Sequence, residues 1–148
     1  MAVDQVDEQL IAALQHDARA TYAELGALVG LSAPAAKRRV DRMRAGGVIT
    51  GFTVLVDPAA LGWTTEAYVE VFCRARTAPS QLFAVAAKHP QVVSVCTVSG
   101  EADGMLHVRA RSVQDFERVL ERISAEPVVV RTKSVIVLSR GPSRPVTT

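Results

Sequence analysis

The chain has 148 residues, 49% of them apolar, and its 17 Lys and Arg nearly balance 15 Asp and Glu to a net charge of +2. That is enough apolar material for one medium domain or two small ones, and too little net charge to argue for a polyanionic partner by itself. No apolar run approaches the ~20 residues that cross a bilayer, and the N-terminus MAVDQVDEQL lacks the basic start and apolar core of a signal peptide. The expectation is a cytoplasmic protein with no membrane partner. Cys73 and Cys96 lack CxxC spacing and read as free thiols.

In chain order, Val6, Leu10, Ala13 and Leu14 recur at helical spacing and predict a helix from about Asp4 to His16. Thr21 followed by Glu24 is a capping-box pattern that starts a second helix, and Gly30 ends it. Ser32 caps a third, in which Pro34 is tolerated because first-turn amides have no intrahelical acceptor. That helix ends near Gly46 and Gly47. Two helices separated only by Gly30 and Leu31 make a helix-turn-helix.

The third helix belongs to the stretch LSAPAAKRRVDRMRAGGVI, which sets Lys37, Arg38, Arg39, Arg42 and Arg44 against Asp41. Ala36, Val40 and Met43 form the inward row, Arg38 and Arg42 lie together, and Lys37 and Arg44 form a neighbouring row. A helix fits the DNA major groove, where arginine pairs with guanine edges and lysine with phosphate. Lys37, Arg38 and Arg42 are therefore candidate DNA contacts, with Ser32 at the helix start for a phosphate and Ala33 and Pro34 where bases are first met. Arg39 and Arg44 are as well suited to helix-end carbonyls. A plainer reading is a solvated face with a Lys37–Asp41 pair worth ~0.3 to 0.5 kcal/mol. Placement on the second helix of a helix-turn-helix favours DNA.

Val48 to Val56 is β-rich and reads as a linking strand closed by Asp57-Pro58. Glu66 to Arg76 alternates, with Ala67, Val69, Val71, Cys73 and Ala75 on one face and Tyr68 and Phe72 on the other. Ser80 to Lys88 reads as a helix capped by Ser80 and stopped by Pro90. Gln91 to Ser99 and Met105 to Ala110 are strands joined by Gly100-Glu101-Ala102-Asp103-Gly104. Ser112 to Ser124 is a helix with Val113, Phe116, Val119, Leu120 and Ile123 inward, and Val128 to Leu138 is a last strand.

The order β-α-β-β-α-β is the ferredoxin-like arrangement. The fold class is α+β: a helix-turn-helix, winged-helix-like domain over 1–47, a linker strand and hinge over 48–63, a ferredoxin-like domain over 64–140 and a disordered tail over 141–148. Apolar residues on the second sheet face predict a homodimer. In GEADG, the glycines permit unusual backbone conformations and expose amides suited to a carboxylate, while Glu101 and Asp103 suit an ammonium. An amino acid carries both groups, although the same residues also make an ordinary hairpin turn. His16, His89 and His107 are scattered, and there is no HExxH, Cys/His ligand spacing, GxSxG or phosphate loop. No catalytic, metal or cofactor site is expected.

Three blocks, DEQLIAALQHDARATYAELGALVGLS, RRVDRMRAGGVITGFTVLVDP and VSGEADGMLHV, occur together within residues 4 to about 139. In sequence and spacing they resemble the Lrp/AsnC, or feast/famine, family of bacterial and archaeal transcription regulators. The resemblance implies sequence-specific binding to double-stranded DNA by dimers that assemble into tetramers or octamers. It also implies an amino acid or related small effector held between C-terminal domains of RAM/ACT-like type. The effector would sit at Gly100, Glu101, Asp103 and Met105, with Thr132, Ser134 and Ile136 from the last strand of a neighbouring subunit.

Two departures from the family pattern carry consequences. At Ser32-Ala33-Pro34-Ala35-Ala36 many relatives have a further hydroxyl and a larger apolar residue, so fewer side chains here can read bases. At Ala102 and Gly104 many have bulkier residues, so the pocket is expected to be roomier. A different class of reading is a metabolite-sensing protein-interaction module that does not bind DNA, which steep salt dependence of DNA binding would distinguish.

Overall fold

The computed structural model describes residues 2–141, so the expected tail lies outside the described residues apart from Gly141. The chain divides into two compact units, one running to Leu55 and the other Val56–Gly141.

The first unit holds three helices, α1 (Gln5–His16), α2 (Tyr22–Val29) and α3 (Ala33–Ala45). Each starts at a side chain that accepts an otherwise unpaired first-turn amide. Asp4 accepts from the Asp7 N–H at 2.9 Å. Thr21 accepts from Glu24 at 3.2 Å, and Glu24 accepts in return from the Thr21 N–H at 2.7 Å. Ser32 accepts from Ala35 at 3.4 Å. Gly30 ends α2 in the left-handed region at φ 70°. The turn into α3 is close enough that a Cβ on Gly26 would lie 2.4 Å from the Leu31 carbonyl oxygen. Leu10, Leu25, Ala36, Val40 and Met43 form the buried core. Burying a side chain the size of leucine or valine contributes about 1.5 to 3 kcal/mol, so this row fixes how α3 lies on α1 and α2.

The expected linking strand does not form: Val48 to Val56 makes no ladder among the described residues. Its β propensity is real, but a strand is defined by a hydrogen-bonded partner, and none of the described residues pairs with it. Val54 and Leu55 are 80% and 94% exposed.

After a turn of 3-10 helix over Pro58–Leu61, the second unit contains β1 (Thr65–Cys73), α4 (Pro79–Ala87), β2 (Val92–Thr97), β3 (Gly104–Ala110), α5 (Val113–Ser124) and β4 (Val129–Ile136). The sheet order is β2-β3-β1-β4, and the pairings are antiparallel. This is the ferredoxin-like arrangement. Ala67, Val69, Val71, Leu106, Val108 and Ala110 face Leu82 and Ala86 of α4 and Phe116, Val119 and Ile123 of α5 in one core.

Three local expectations change. β1 ends at Cys73, where its ladder with β4 shifts register, and the chain turns away through Arg76 at φ 66°, leaving Ala75 exposed. Ser80 does not cap α4: Pro79 opens the helix, and Gln81 reaches back to accept from the Ala78 N–H at 2.8 Å. Val113, at the first position of α5, is 53% exposed rather than inward.

Replacing Gly26 by alanine is expected to lower stability by about 1 to 3 kcal/mol, because the new methyl meets backbone that cannot rotate away. Urea denaturation of the full chain followed by far-ultraviolet circular dichroism measures this. An unchanged first transition would contradict the close approach.

Candidate functional site

The first candidate surface is α3. Its apolar row is buried, which turns the remaining side chains outward or against α1. Ser32, Pro34, Lys37 and Arg38 are exposed and Ala33 half-buried. The Lys37 ammonium lies 2.5 Å from Asp41 and 6.0 Å from the centre of the Tyr22 ring. Arg38 makes no side-chain hydrogen bond or ion pair among the described residues. Arg44 lies 5.9 Å from the centre of the Phe52 ring, an arrangement suited to a weak cation–π contact.

The other two arginines turn toward α1. Arg39 Nη1 donates to Asp7 Oδ1 at 2.8 Å and to both Asp4 oxygens at 3.0 and 2.8 Å. Arg42 Nη2 donates to Asp7 Oδ2 at 2.8 Å. Arg42, which the helical wheel grouped with Arg38, is thus bonded within its own unit. Asp7 is the residue that sequence reasoning missed. It lies one turn before buried Leu10, on the apolar side of α1, and a carboxylate in that position requires a cationic partner.

The second candidate surface is the loop between β2 and β3. Gly100 adopts φ 133°, Glu101 is exposed and Ala102 is buried. Asp103 fastens the loop to the end of β1: its N–H donates to the Val71 carbonyl at 2.9 Å, and its Oδ2 accepts from the Cys73 N–H at 2.6 Å. A Cβ on Gly104 would sit 2.2 Å from Leu82 Cδ2 and 2.9 Å from the Cys96 carbonyl oxygen, so a larger residue there would require Leu82 and the β2 backbone to shift, and the space beside this glycine is filled rather than added room. Gly100, Ala102 and Asp103 line a cleft of about 240 Å3 together with Thr77, Ala78 and Pro79 at the start of α4. Nothing marks these last three in the sequence beyond their position ahead of a helix. Burial pushes the Cys73 thiol in this cleft up from its ordinary range, and the charge of Asp103 adds to the effect.

A single chain does not gather the other expected ligand residues into this cleft. Thr132, Ser134 and Ile136 pair with Val71, Val69 and Ala67, and directly paired residues share a sheet face, so they lie on the helix side of β4. Thr132 Oγ1 is 3.2 Å from Ser124 Oγ on α5. Met105 pairs with Glu70 and belongs to the opposite, open face.

On that open face Glu66 is hydrogen-bonded to His107 and Arg140, and His107 stacks on Tyr68 with ring centres 4.8 Å apart. Burial works against ionisation of Glu66, yet Arg140 and His107 outweigh it and hold the carboxyl below its ordinary value. His107, read from sequence only as a strand residue, is thus part of an ionic cluster. Among the described residues no group of three or more His, Cys, Asp or Glu is placed to hold a metal ion. No described helix is long and apolar enough to cross a membrane.

Comparison with known proteins bears on both surfaces. Residues 3–44 match the AsnC-type helix-turn-helix domain, and residues 66–146 match the Lrp/AsnC ligand binding domain. The chain is 53% identical over 137 residues to the HTH-type transcriptional regulator Rv2324 of Mycobacterium tuberculosis, covering 93% of each protein. Among solved structures it is similar to the feast or famine regulatory protein Rv3291c of M. tuberculosis complexed with L-methionine, with TM-score 0.89, 34% identity and 96% of each chain covered. It is likewise similar to the transcriptional regulator NMB0573/L-Met complex of Neisseria meningitidis, with TM-score 0.89, 25% identity, and 96% of this chain and 94% of that chain covered.

The first unit carries a pH signature. Arg39 and the Asp7 N–H hold the Asp4 carboxyl below its ordinary value, and the Thr21 N–H and hydroxyl do the same for Glu24. A carboxyl whose folded pKa is depressed contributes its stability above the unfolded value near pH 4 and loses it as pH falls through the folded one. The thermal midpoint of the helical unit is expected to drop as pH falls below about 4.5. In Asp4→Asn the acid slope should be shallower, which melting curves from pH 6 to 2.5 will show. An identical slope in the variant would mean that Asp4 has no part in it.

Proposed function

The chain belongs to the Lrp/AsnC family of DNA-binding transcriptional regulators, whose named relatives are regulators and not enzymes, and from that premise we propose how its two units divide the work. The unit that includes residues 1–47 binds double-stranded DNA by setting α3 in the major groove. Ser32, Ala33, Pro34, Lys37 and Arg38 form the contact surface. The observation that supports this most directly is the exposed basic side of α3, opposite the buried Ala36, Val40 and Met43. Because alanine and proline occupy the groove-entering turn, phosphate contacts and DNA shape supply much of the affinity. Residues 48–63 link this unit to the ligand-binding unit over 64–140, and the protein acts in the cytoplasm, where DNA is accessible.

The second unit oligomerises and binds a small effector. The open sheet face carries Tyr68, Phe72, Met105 and Val135 among its charges and packs on a second copy, and dimers assemble further into a tetramer or octamer. The effector is an amino acid, for which L-methionine in the two solved relatives is the guide. Gly100, Glu101, Asp103 and Met105 come from one subunit, and Thr132, Ser134 and Ile136 from its neighbour. That division is supported by the cleft lining, which includes Gly100 and Asp103 but not Thr132, Ser134 or Ile136, and by the register, which puts Met105 on the opposite sheet face from those three. The effector shifts DNA affinity only through its preference for one assembly over another.

DNA binding should weaken steeply with salt, with a log–log slope of roughly 0.9 per neutralised phosphate, and Lys37→Ala should flatten it by about one phosphate. Affinity that is flat across salt would count against the DNA surface. For the effector, calorimetric titration with the twenty amino acids should give saturable heat with methionine or a close analogue. Asp103→Asn should weaken that binding about tenfold or more through loss of a charged hydrogen bond. Unchanged heat in Asp103→Asn and Glu101→Ala together would move the site elsewhere.

A further inference from the structure

We infer that Asp7 is a positioning residue for DNA binding: its buried carboxylate fixes α3 on α1 and, by engaging Arg39 and Arg42, leaves DNA contact to Arg38 and Lys37. This rests on α3 being the DNA-contacting helix. The Asp7 side chain is 0% exposed, with Arg39 on Oδ1 and Arg42 on Oδ2, each at 2.8 Å, and Oδ2 takes a further, longer bond from the Asp4 N–H at 3.4 Å. A carboxylate withdrawn from water is tolerated only when its oxygens are engaged, so moving either arginine to a phosphate would leave a buried charge short of a partner. Arg39 is held a second time by Asp4.

Helix geometry alone sets apart Arg39: at about 100° per residue it lies about 60° from Ala36, beside the buried row, whereas Arg42 lies about 40° from Arg38. It is the contact with Asp7 that draws the half-exposed Arg42 guanidinium toward α1. Arg38 falls on the far side with Pro34, directed away from the core. Arg38 has no partner to give up among the described residues. Lys37 has one, Asp41, but both are well exposed, and a pair of that kind holds a cation too weakly to keep it from a phosphate. The basic cluster therefore contains two functional classes. Arg39 and Arg42 set the attitude of the helix, and Arg38 and Lys37 meet the nucleic acid.

The test uses the full-length protein, a duplex selected from a random library by the wild type, and a scrambled duplex of equal length, with affinity read by fluorescence anisotropy across salt. Arg38→Ala should lose about 0.9 of the log–log slope, whereas Arg42→Ala should keep the wild-type slope and lower the melting temperature. In Asp7→Asn, the preference for the selected duplex should fall about tenfold, and the slope on the scrambled duplex should steepen as released arginines reach phosphates. A residue that served the fold alone would lower the melting temperature and leave slope and preference unchanged, and that result in folded Asp7→Asn would overturn the inference. Equal loss of slope in Arg42→Ala and Arg38→Ala would also overturn it. If Asp7→Asn does not fold, Arg42→Ala and Arg42→Lys decide between the two outcomes. A wild type that binds neither duplex at low salt would instead remove the DNA reading of α3 itself.

Discussion

Two helices can cover only one face of a four-stranded sheet, and much of the second unit follows from that. Alternation along β1 sends Ala67, Val69 and Val71 into the helical core while Glu66, Tyr68, Glu70 and Phe72 occupy the other side. That side is neither greasy nor freely solvated. Glu66 is tied to His107 and Arg140, Glu70 lies 3.4 Å from Lys133, and the Arg131 guanidinium lies 3.8 Å from the centre of the Phe72 ring. Charges paired in this way lie among the aromatic and aliphatic side chains Tyr68, Phe72, Met105 and Val135 of the same face.

The helical unit meets a different constraint. Five cations on thirteen residues of α3 repel one another unless some find acidic partners. The acidic start of the chain provides them at Asp4 and Asp7. Net charge near zero and a concentrated basic helix are thus compatible, because part of the positive charge is neutralised inside the unit and part faces outward. Counting basic residues overstates the charge available to a polyanion.

Legibility in the sequence followed the range of the interactions involved. Helix starts at Thr21 and Ser32 are readable because each cap spans three residues, and the core rows are readable because helix and strand periods are fixed by backbone geometry. The start of α4 misled because Ser80 is a good cap in isolation, whereas Pro79 beside it is a better first helical residue and moves the boundary back. Val48 to Val56 misled because β propensity is local and strand pairing is not. The pairings of Asp7 with Arg39 and Arg42, 32 and 35 residues apart, and of Asp103 with Cys73, 30 apart, were invisible in a single sequence. Family resemblance brought the loop Gly100 to Gly104 forward, but the opening beside α4 became visible only when the chain was folded.

The attachment of Asp103 reaches beyond the loop that contains it. By accepting the Cys73 amide where the ladder slips, and by donating its own amide to Val71, it makes the tip of the β2–β3 hairpin a rivet on the central strand. β1 is bonded on both edges, to β3 and to β4. The tip therefore cannot swing as a free flap: any displacement must either shear two hydrogen bonds or drag the middle of the sheet with it. A displacement of this corner is thereby coupled to β1 and, through its ladders, to both strands beside it.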